Sequence, residues 1–448
     1  LLLDGHRLNE TVYDSFGLKH DFFLDLDLIE RIEVIRGPAS SLYGSNAFFG
    51  VINIVTKQAS AVRPALMGEA GSHKSYRRGA IASWKSASGW EGVAEGSDYD
   101  SSGEVSLYYP EYDAPETNNG RAVGTDWERG TRAFAKIGKG DFVFCMAMNS
   151  RVRGIPTGAY DSLFNDPRNS TGDQRSYAEL RFQHVAASGL ENQGRISADH
   201  TSYHGIFVYG DAATTVVNND HARGDWWGVE WNTTLKPHPA HRATLGLEYR
   251  DNFRQDQYDY EEGVIYLDSK HSSKTWGLLG QEEWKITRGV LLNVGARYDR
   301  YETFGGNFAP RAALILRPKT RTTVKWLYGE AFRIPNTYEM YYDDNGTAQK
   351  GNPNLQPEQI QTFEVGVDQV LDERLTFTLG AYHYKVTDLI NQVLDEGDGL
   401  LYYDNTDAVK ADGVESLLRW LSSGGIGARA SYCWQLARDW ETGSELTN

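Results

Sequence analysis

Eleven histidines and two cysteines are the softest donors in this 448-residue chain. Cys145 and Cys433 are far apart and form no Cys-x-x-Cys spacing, so no zinc site, iron–sulfur site or mutual bridge is expected. His6, His20 and His73 each stand alone and read as surface or hydrogen-bonded residues. Two acidic runs, residues 251–262 and Asp395-Glu396-Gly397-Asp398, offer the oxygen ligands that Ca2+ takes, but neither follows an EF-hand loop. They read as hydrated loops. No Ser-His-Asp arrangement, Walker loop or Gly-x-Gly-x-x-Gly sits in a supporting strand–helix context. Neither catalysis nor a resident metal or cofactor is therefore expected. What remains are single groups in suggestive places: Arg36 ahead of Gly37-Pro38, Tyr13 between two apolar segments, and the late acids Glu330 and Glu364. Burying any such charge alone is costly, so its meaning depends on the elements that position it.

Those elements begin with residues 29–57. The run IERIEVIR, residues 29–36, sets four charges among four β-branched apolar residues and then meets Gly37-Pro38. Pro38 cannot donate to a ladder, so the strand is predicted to stop there. Residues 40–44, with Tyr43 and a closing Gly44, read as one helical turn. Residues 51–55 (VINIV) resume a strand. Glu30, Arg31 and Glu33 read as an ordinary charged face.

Beyond residue 64 the pattern changes to period-two alternation, as in residues 243–250, 292–299, 363–368, 375–382 and 426–432. One face is apolar; the other carries Arg, Glu, Asp and Gly. Roughly sixteen strands are predicted after residue 60, each from a weak signal. Alternation alone does not say which face points outward, but Tyr249, Tyr298 and Tyr301 read as girdle aromatics at a membrane interface. Short connections (residues 318–320 and 372–373) contrast with long polar ones (98–129, 154–172, 253–274 and 340–357), the asymmetry of an outer-membrane barrel. Mean hydropathy is negative, and no run approaches the roughly 18 apolar residues of a spanning helix. A net charge of −16 argues against nucleic-acid binding.

Residues 1–57 resemble the plug domain of TonB-dependent outer-membrane receptors, with LLLDGHRLN (residues 1–9) similar to a plug strand and turn. A second block resembles that family's barrel: Gly329-Glu330-Ala331-Phe332-Arg333-Ile334-Pro335-Asn336, then Asn352-Pro353-Asn354-Leu355 and Glu358. Residues 363–366 continue it, and Gly413-Val414-Glu415 is similar to a later strand. The resemblance implies an all-β-dominated fold: an antiparallel transmembrane barrel, 22-stranded in the family, holding a small α/β plug. The expected division is residues 1–57 for the C-terminal part of the plug and 58–448 for the barrel. With no starting Met and no leader, the chain reads as a fragment lacking both ends, the last strands included.

The resemblance also implies roles. Arg36 would pair with glutamates on the inner wall as a plug latch, with Glu364 and Glu330 as partners. Tyr13 would touch ligand from the plug's upper face. The expected partners are TonB, through an N-terminal segment not present here, outer-membrane lipid, and a bulky metal chelate or cobalamin. A ferric siderophore is the first expectation, cobalamin the second and haem the third, because haem receptors of the family carry a histidine between the two barrel blocks and residues 336–351 contain none. A passive porin or adhesin barrel is the alternative from another class, and a soluble β-sandwich enzyme a third.

Overall fold

The computed structural model describes residues 1–446 apart from Leu18 and residues 211–213, and leaves the Lys19 side chain aside. Two sheets dominate, one inside the other. The inner sheet has four strands: His6–Arg7 pairs with Leu2–Leu3, which lies parallel to Gly50–Thr56, which in turn lies antiparallel to Ile29–Arg36. Ile29–Arg36 ends where Pro38 removes a donor. The helical turn Ser40–Tyr43 follows and closes at Gly44 in the left-handed region.

The outer sheet has seventeen strands, running in chain order from Ala65–Ala70 to Gly427–Asp439, each antiparallel to the next. It curls into a barrel around the inner unit. No register joins Ala65–Ala70 directly to Gly427–Asp439 among the described residues, so the wall carries a seam. Neighbouring strands meet at the lower rim in short turns, such as residues 239–240 between Thr215–His238 and His241–Glu261. No helix among the described residues is long and apolar enough to cross a membrane.

The strand faces resolve what alternation left open. Leu245 and Leu247 are 59% and 56% exposed on the outer surface, while Glu248, next to Leu247, faces inward and accepts from Arg297. Phe363 and Val365 point outward on either side of the inward Glu364 in the same way. An apolar exterior around a polar lumen is the pattern of a barrel solvated by lipid. Outward tryptophans such as Trp84, Trp231, Trp284, Trp326 and Trp420 decorate that surface. Tyr249 and Tyr298 lie against Trp227 and Trp276 on it. Tyr301 does not: it is buried against Phe332 and Ala309, because its strand turns it toward the lumen.

One expected loop is not a loop. Residues 253–274 continue two ladders, His241–Glu261 and Val264–Thr287, to a tight turn at 262–263. Their polar composition reflects strands that rise above the apolar band, where both faces can be wet. Residues 98–129 likewise hold a two-stranded ribbon, Ser106–Tyr108 with Arg121–Val123.

The main apolar core lies between the two units rather than within either. Leu3, Phe22, Phe23, Leu24, Leu28 and Ile54 of the inner unit pack on Ile81, Val93, Phe134, Cys145, Ala147 and Tyr177 of the wall. At roughly 1.5–3 kcal/mol for each large side chain buried, this seam of contacts is a principal force holding the inner unit in place. Cys145 is buried there, Cys433 is exposed, and both thiols are free.

Candidate functional site

Buried ion pairs surround that core. Asp25, almost wholly buried, takes Arg77 and Arg132 on its two carboxylate oxygens, while its backbone N–H donates to Glu95. Asp4 receives Lys136 at 3.4 Å and Arg181 at 3.5 Å, and also accepts from the Thr56 hydroxyl at 2.7 Å. Burial opposes the Asp4 charge, but Lys136 and the Thr56 bonds outweigh it and hold its carboxyl below the ordinary range. His6 lies between Asp199 at 2.8 Å and Glu179 at 3.4 Å, stacked on Tyr177. Burial works against its charge, yet the two carboxylates prevail and push the imidazole up to about 9. Asp21 meets Arg151 at 2.7 Å, and His20 meets Glu128 at 2.7 Å.

Asp4 and His6 lie within the plug-like stretch of residues 1–9 and His20 stands out only as a lone histidine, but no motif marks any of the five as a contact with the wall. A signal existed in the wall: Arg132, Phe134 and Lys136 stand at every second position of one strand and all face the lumen. Basic residues at that period on an otherwise inward face ask for acids inside.

On the opposite flank the contacts are of another kind. Arg36 makes its ion pair with Glu415, 2.7 Å away, and the two side chains are 79% and 43% exposed. Glu364 stands beside this pair: an added Cβ on Gly37 would lie 2.5 Å from its Oε1, and Gly37 has φ +77°. Glu330 is not at this place. Gly329 faces Pro38 and Ala331 packs on Phe48, so Glu330, between them, points outward and accepts from the Tyr328 hydroxyl and from Gln361. Alternation around residue 330 therefore removes it as a partner of Arg36. Other contacts here are Phe48 among Ala331, Ile360 and Val386, and backbone N–H bonds such as Asn46 to the Phe332 carbonyl. Glu30, Arg31 and Glu33 pair with one another on an exposed face.

The second sequence block builds the upper rim. Arg333 bridges Glu358 at 2.5 Å and Glu339 at 2.9 Å. Asn336 and Glu339 form a capping box that starts the helix Thr337–Tyr341. Phe332 is buried against Tyr301, Leu355 against Met340 and Ile390, and Asn352 donates to the Tyr403 carbonyl at 2.9 Å. Pro335 lines a recess of about 880 Å3, open to solvent, between this rim and the plug residues Arg7, Thr11 and Asp14. The acids of residues 395–398 already face a cation: Lys350 lies 2.5 Å from Asp395 and 2.6 Å from Asp398.

Tyr13 sits at the top of the inner unit, where its carbonyl accepts from Asn336 at 3.1 Å. Its ring meets Tyr338 at 5.4 Å and Tyr203 at 6.2 Å. Burial, and then the charge of nearby Asp220, push its hydroxyl well above the usual phenol range, so it stays a neutral donor and acceptor. Tyr203, Tyr338 and Asp220 close around this point near the tops of the wall strands.

Comparison with known proteins matches this arrangement. Residues 1–51 match the TonB-dependent receptor plug domain, and residues 89–448 match the TonB-dependent receptor-like β-barrel. The iron-regulated outer membrane virulence protein of Vibrio cholerae serotype O1 is 24% identical over 441 residues, covering 88% of this chain and 59% of that protein. The vitamin B12 transporter BtuB of the same species is 24% identical over 405 residues, with 87% and 59% covered. The chain thus spans about three-fifths of the length of these relatives. The crystal structure of the siderophore receptor PirA from Acinetobacter baumannii superposes with a TM-score of 0.72 at 16% identity, covering 99% of this chain and 73% of that one. With both units matched, one enclosed by the other, this chain belongs to the TonB-dependent receptors of the outer membrane.

Proposed function

We propose that the protein carries a bulky, scarce ligand across the outer membrane, a ferric siderophore first, by TonB-driven displacement of the inner unit. The observation that carries this reading is the filled lumen: a ligand reaching Tyr13 meets a floor of packed plug and must wait for it to shift. In this reading residues 1–57 are the plug and residues 58–448 the barrel wall. Tyr13 contacts ligand from the plug's upper face. Arg36, with Glu415 and Glu364, is the latch, and its exposure suits a contact that is made and broken, since exposed pairs add little static stability. The partners are TonB and the lipid around the apolar belt.

The similarity to receptors named for siderophores and for ferric enterobactin supports the iron-chelate reading. Cobalamin is the second reading, favoured by the match to the vitamin B12 transporter BtuB. The test is uptake by cells expressing the full-length gene, with and without TonB, of a radiolabelled ferric siderophore, cyanocobalamin and haem. Accumulation of one of them only when TonB is present is the expected result. Entry that ignores TonB sinks the mechanism.

A further inference from the structure

Within that transport reading, we propose that the tyrosine cluster around Tyr13, with Asp220 and Asp259 beside it, selects an iron chelate bearing a positive charge, of the ammonium-substituted ferric hydroxamate type, over anionic chelates. Tyr13, Tyr203, Tyr338, Tyr342 and Tyr403 form a continuous set of ring contacts, with centroids 4.7 to 6.2 Å apart. Asp220 and Asp259 stand directly opposite each other on adjacent strands beside them. Asp220 lies near Tyr13, Tyr203, Tyr338 and Tyr342, and burial, with Asp259 opposite, pushes its own carboxyl up to about 7, so a cation arriving beside it favours the ionised form.

Among the described residues, neither carboxylate has a cation paired with it. Asp259 accepts only neutral donors, Asn218 at 2.6 Å and the Tyr342 hydroxyl at 3.4 Å, and Asp220 Oδ1 is buried with no partner. Three basic groups of this end of the molecule are engaged elsewhere. Arg333 is held between Glu339 and Glu358, Lys350 between Asp395 and Asp398, and Arg153 donates to Thr171 on a neighbouring strand. Like charges directly opposed on a sheet repel, and an arriving ammonium relieves that repulsion. Tyrosine faces add cation–π attraction of their own.

Unused hydrogen-bonding groups point the same way. Gln349, 5% exposed, touches the Tyr338 hydroxyl through its carbonyl and leaves its Nε2 without a partner. Gln257, 1% exposed on the strand that carries Asp259, leaves its Oε1 without one. Carboxylates, phenol faces and spare amide groups gathered at one place suit a polar, positively charged guest. A tricatecholate of net negative charge would meet two carboxylates and gain no cation in return.

The test uses purified full-length receptor in detergent and reads fluorescence quenching by four probes. These are a linear ferric trihydroxamate with a free terminal ammonium, its N-acetylated neutral form, an anionic ferric tricatecholate, and cyanocobalamin. The ammonium form is expected to bind at least tenfold tighter than the acetylated form and tighter than the tricatecholate. Asp220→Asn is expected to shrink the preference for ammonium below threefold while leaving the acetylated form unchanged. Asp259→Asn repeats the test at a second position should the first variant fail to fold. Equal affinity for the two hydroxamates, or tightest binding of the tricatecholate or cyanocobalamin, overturns the proposal. TonB-dependent uptake of such a probe would still leave the transport reading standing. Failure of every probe to bind and to enter cells overturns both.

Discussion

The two flanks of the plug are held by different chemistry. Facing the early wall strands, the plug presents Asp4, His6, Asp21 and Asp25 to buried basic and acidic partners, over a shared apolar core. Facing the strands from residue 322 onward, it offers backbone bonds, the hydroxyls of Ser40 and Ser45, the rings of Phe48 and Phe49, and the exposed pair of Arg36 with Glu415. Breaking a buried pair by removing one partner leaves an uncompensated charge in a dry place and costs several kcal/mol; breaking an exposed pair costs about 1 or less. Under the proposed transport mechanism, pulling is expected to swing the plug rather than eject it, pivoting on its early-strand flank and parting it from the wall beside Arg36.

The sharpest way to break this comparison is to remove an anchor. Asp25→Ala takes the shared partner from Arg77 and Arg132, leaving them the carboxylates of Glu69 at 3.3 Å and Glu95 at 3.9 Å. It is expected to lower stability by about 3 kcal/mol, read as an earlier thermal unfolding transition of the full-length receptor in detergent. An unmoved transition would mean the early-strand flank is no anchor. Next comes pH. His6 titrates at about 9 in the fold against 6.5 unfolded, so its contribution is complete below about pH 6.5 and disappears as pH rises toward 9. The expected loss across that window is about 3 kcal/mol, at about 1.4 kcal/mol per pH unit. His6→Gln should flatten the profile, and a wild-type profile already flat over this range would contradict the geometry.

Two smaller effects probe the other flank. Gly37→Ala sets a Cβ against Glu364 at a positive φ and should cost roughly 1–2 kcal/mol; a neutral substitution would place Glu364 elsewhere. Arg36→Ala and Glu415→Ala, combined in a double-mutant cycle, should couple by less than about 1 kcal/mol in stability. Both should nonetheless admit more of a large antibiotic into cells. Unchanged permeability would leave the pair with no role in holding the plug.

Much of the fold was legible because a strand writes its faces into the sequence at period two. The Gly37-Pro38 stop and the turn closed by Gly44 were legible because proline and glycine act locally. The partner of Arg36 was not, since 379 residues separate it from Glu415 and only the register of the curled sheet brings them together. Glu330 illustrates the same limit: shifting the alternation by one position sends a side chain to the opposite face. The tall hairpin ending at residues 262–263 escaped because strands wet on both faces lose their alternation. The anchoring acids Asp4, Asp21 and Asp25 were hidden by being ordinary residues in short turns, visible only once the basic inner wall is set around them.

The height of the wall has its own consequence. Thr215–His238 and Val264–Thr287 each run 24 residues, roughly 80 Å along the chain at ~3.3 Å per residue. Tilted by about 40°, they rise roughly 60 Å, whereas the lipid-facing band of such barrels is only about 25 Å tall. Asp220 lies five residues from the upper end of Thr215–His238 and Asp259 two from that of His241–Glu261, so the tyrosines beside them stand near the top of this wall. A guest held there is far above the lipid-facing band, and its release to the medium is not slowed by the height of the wall.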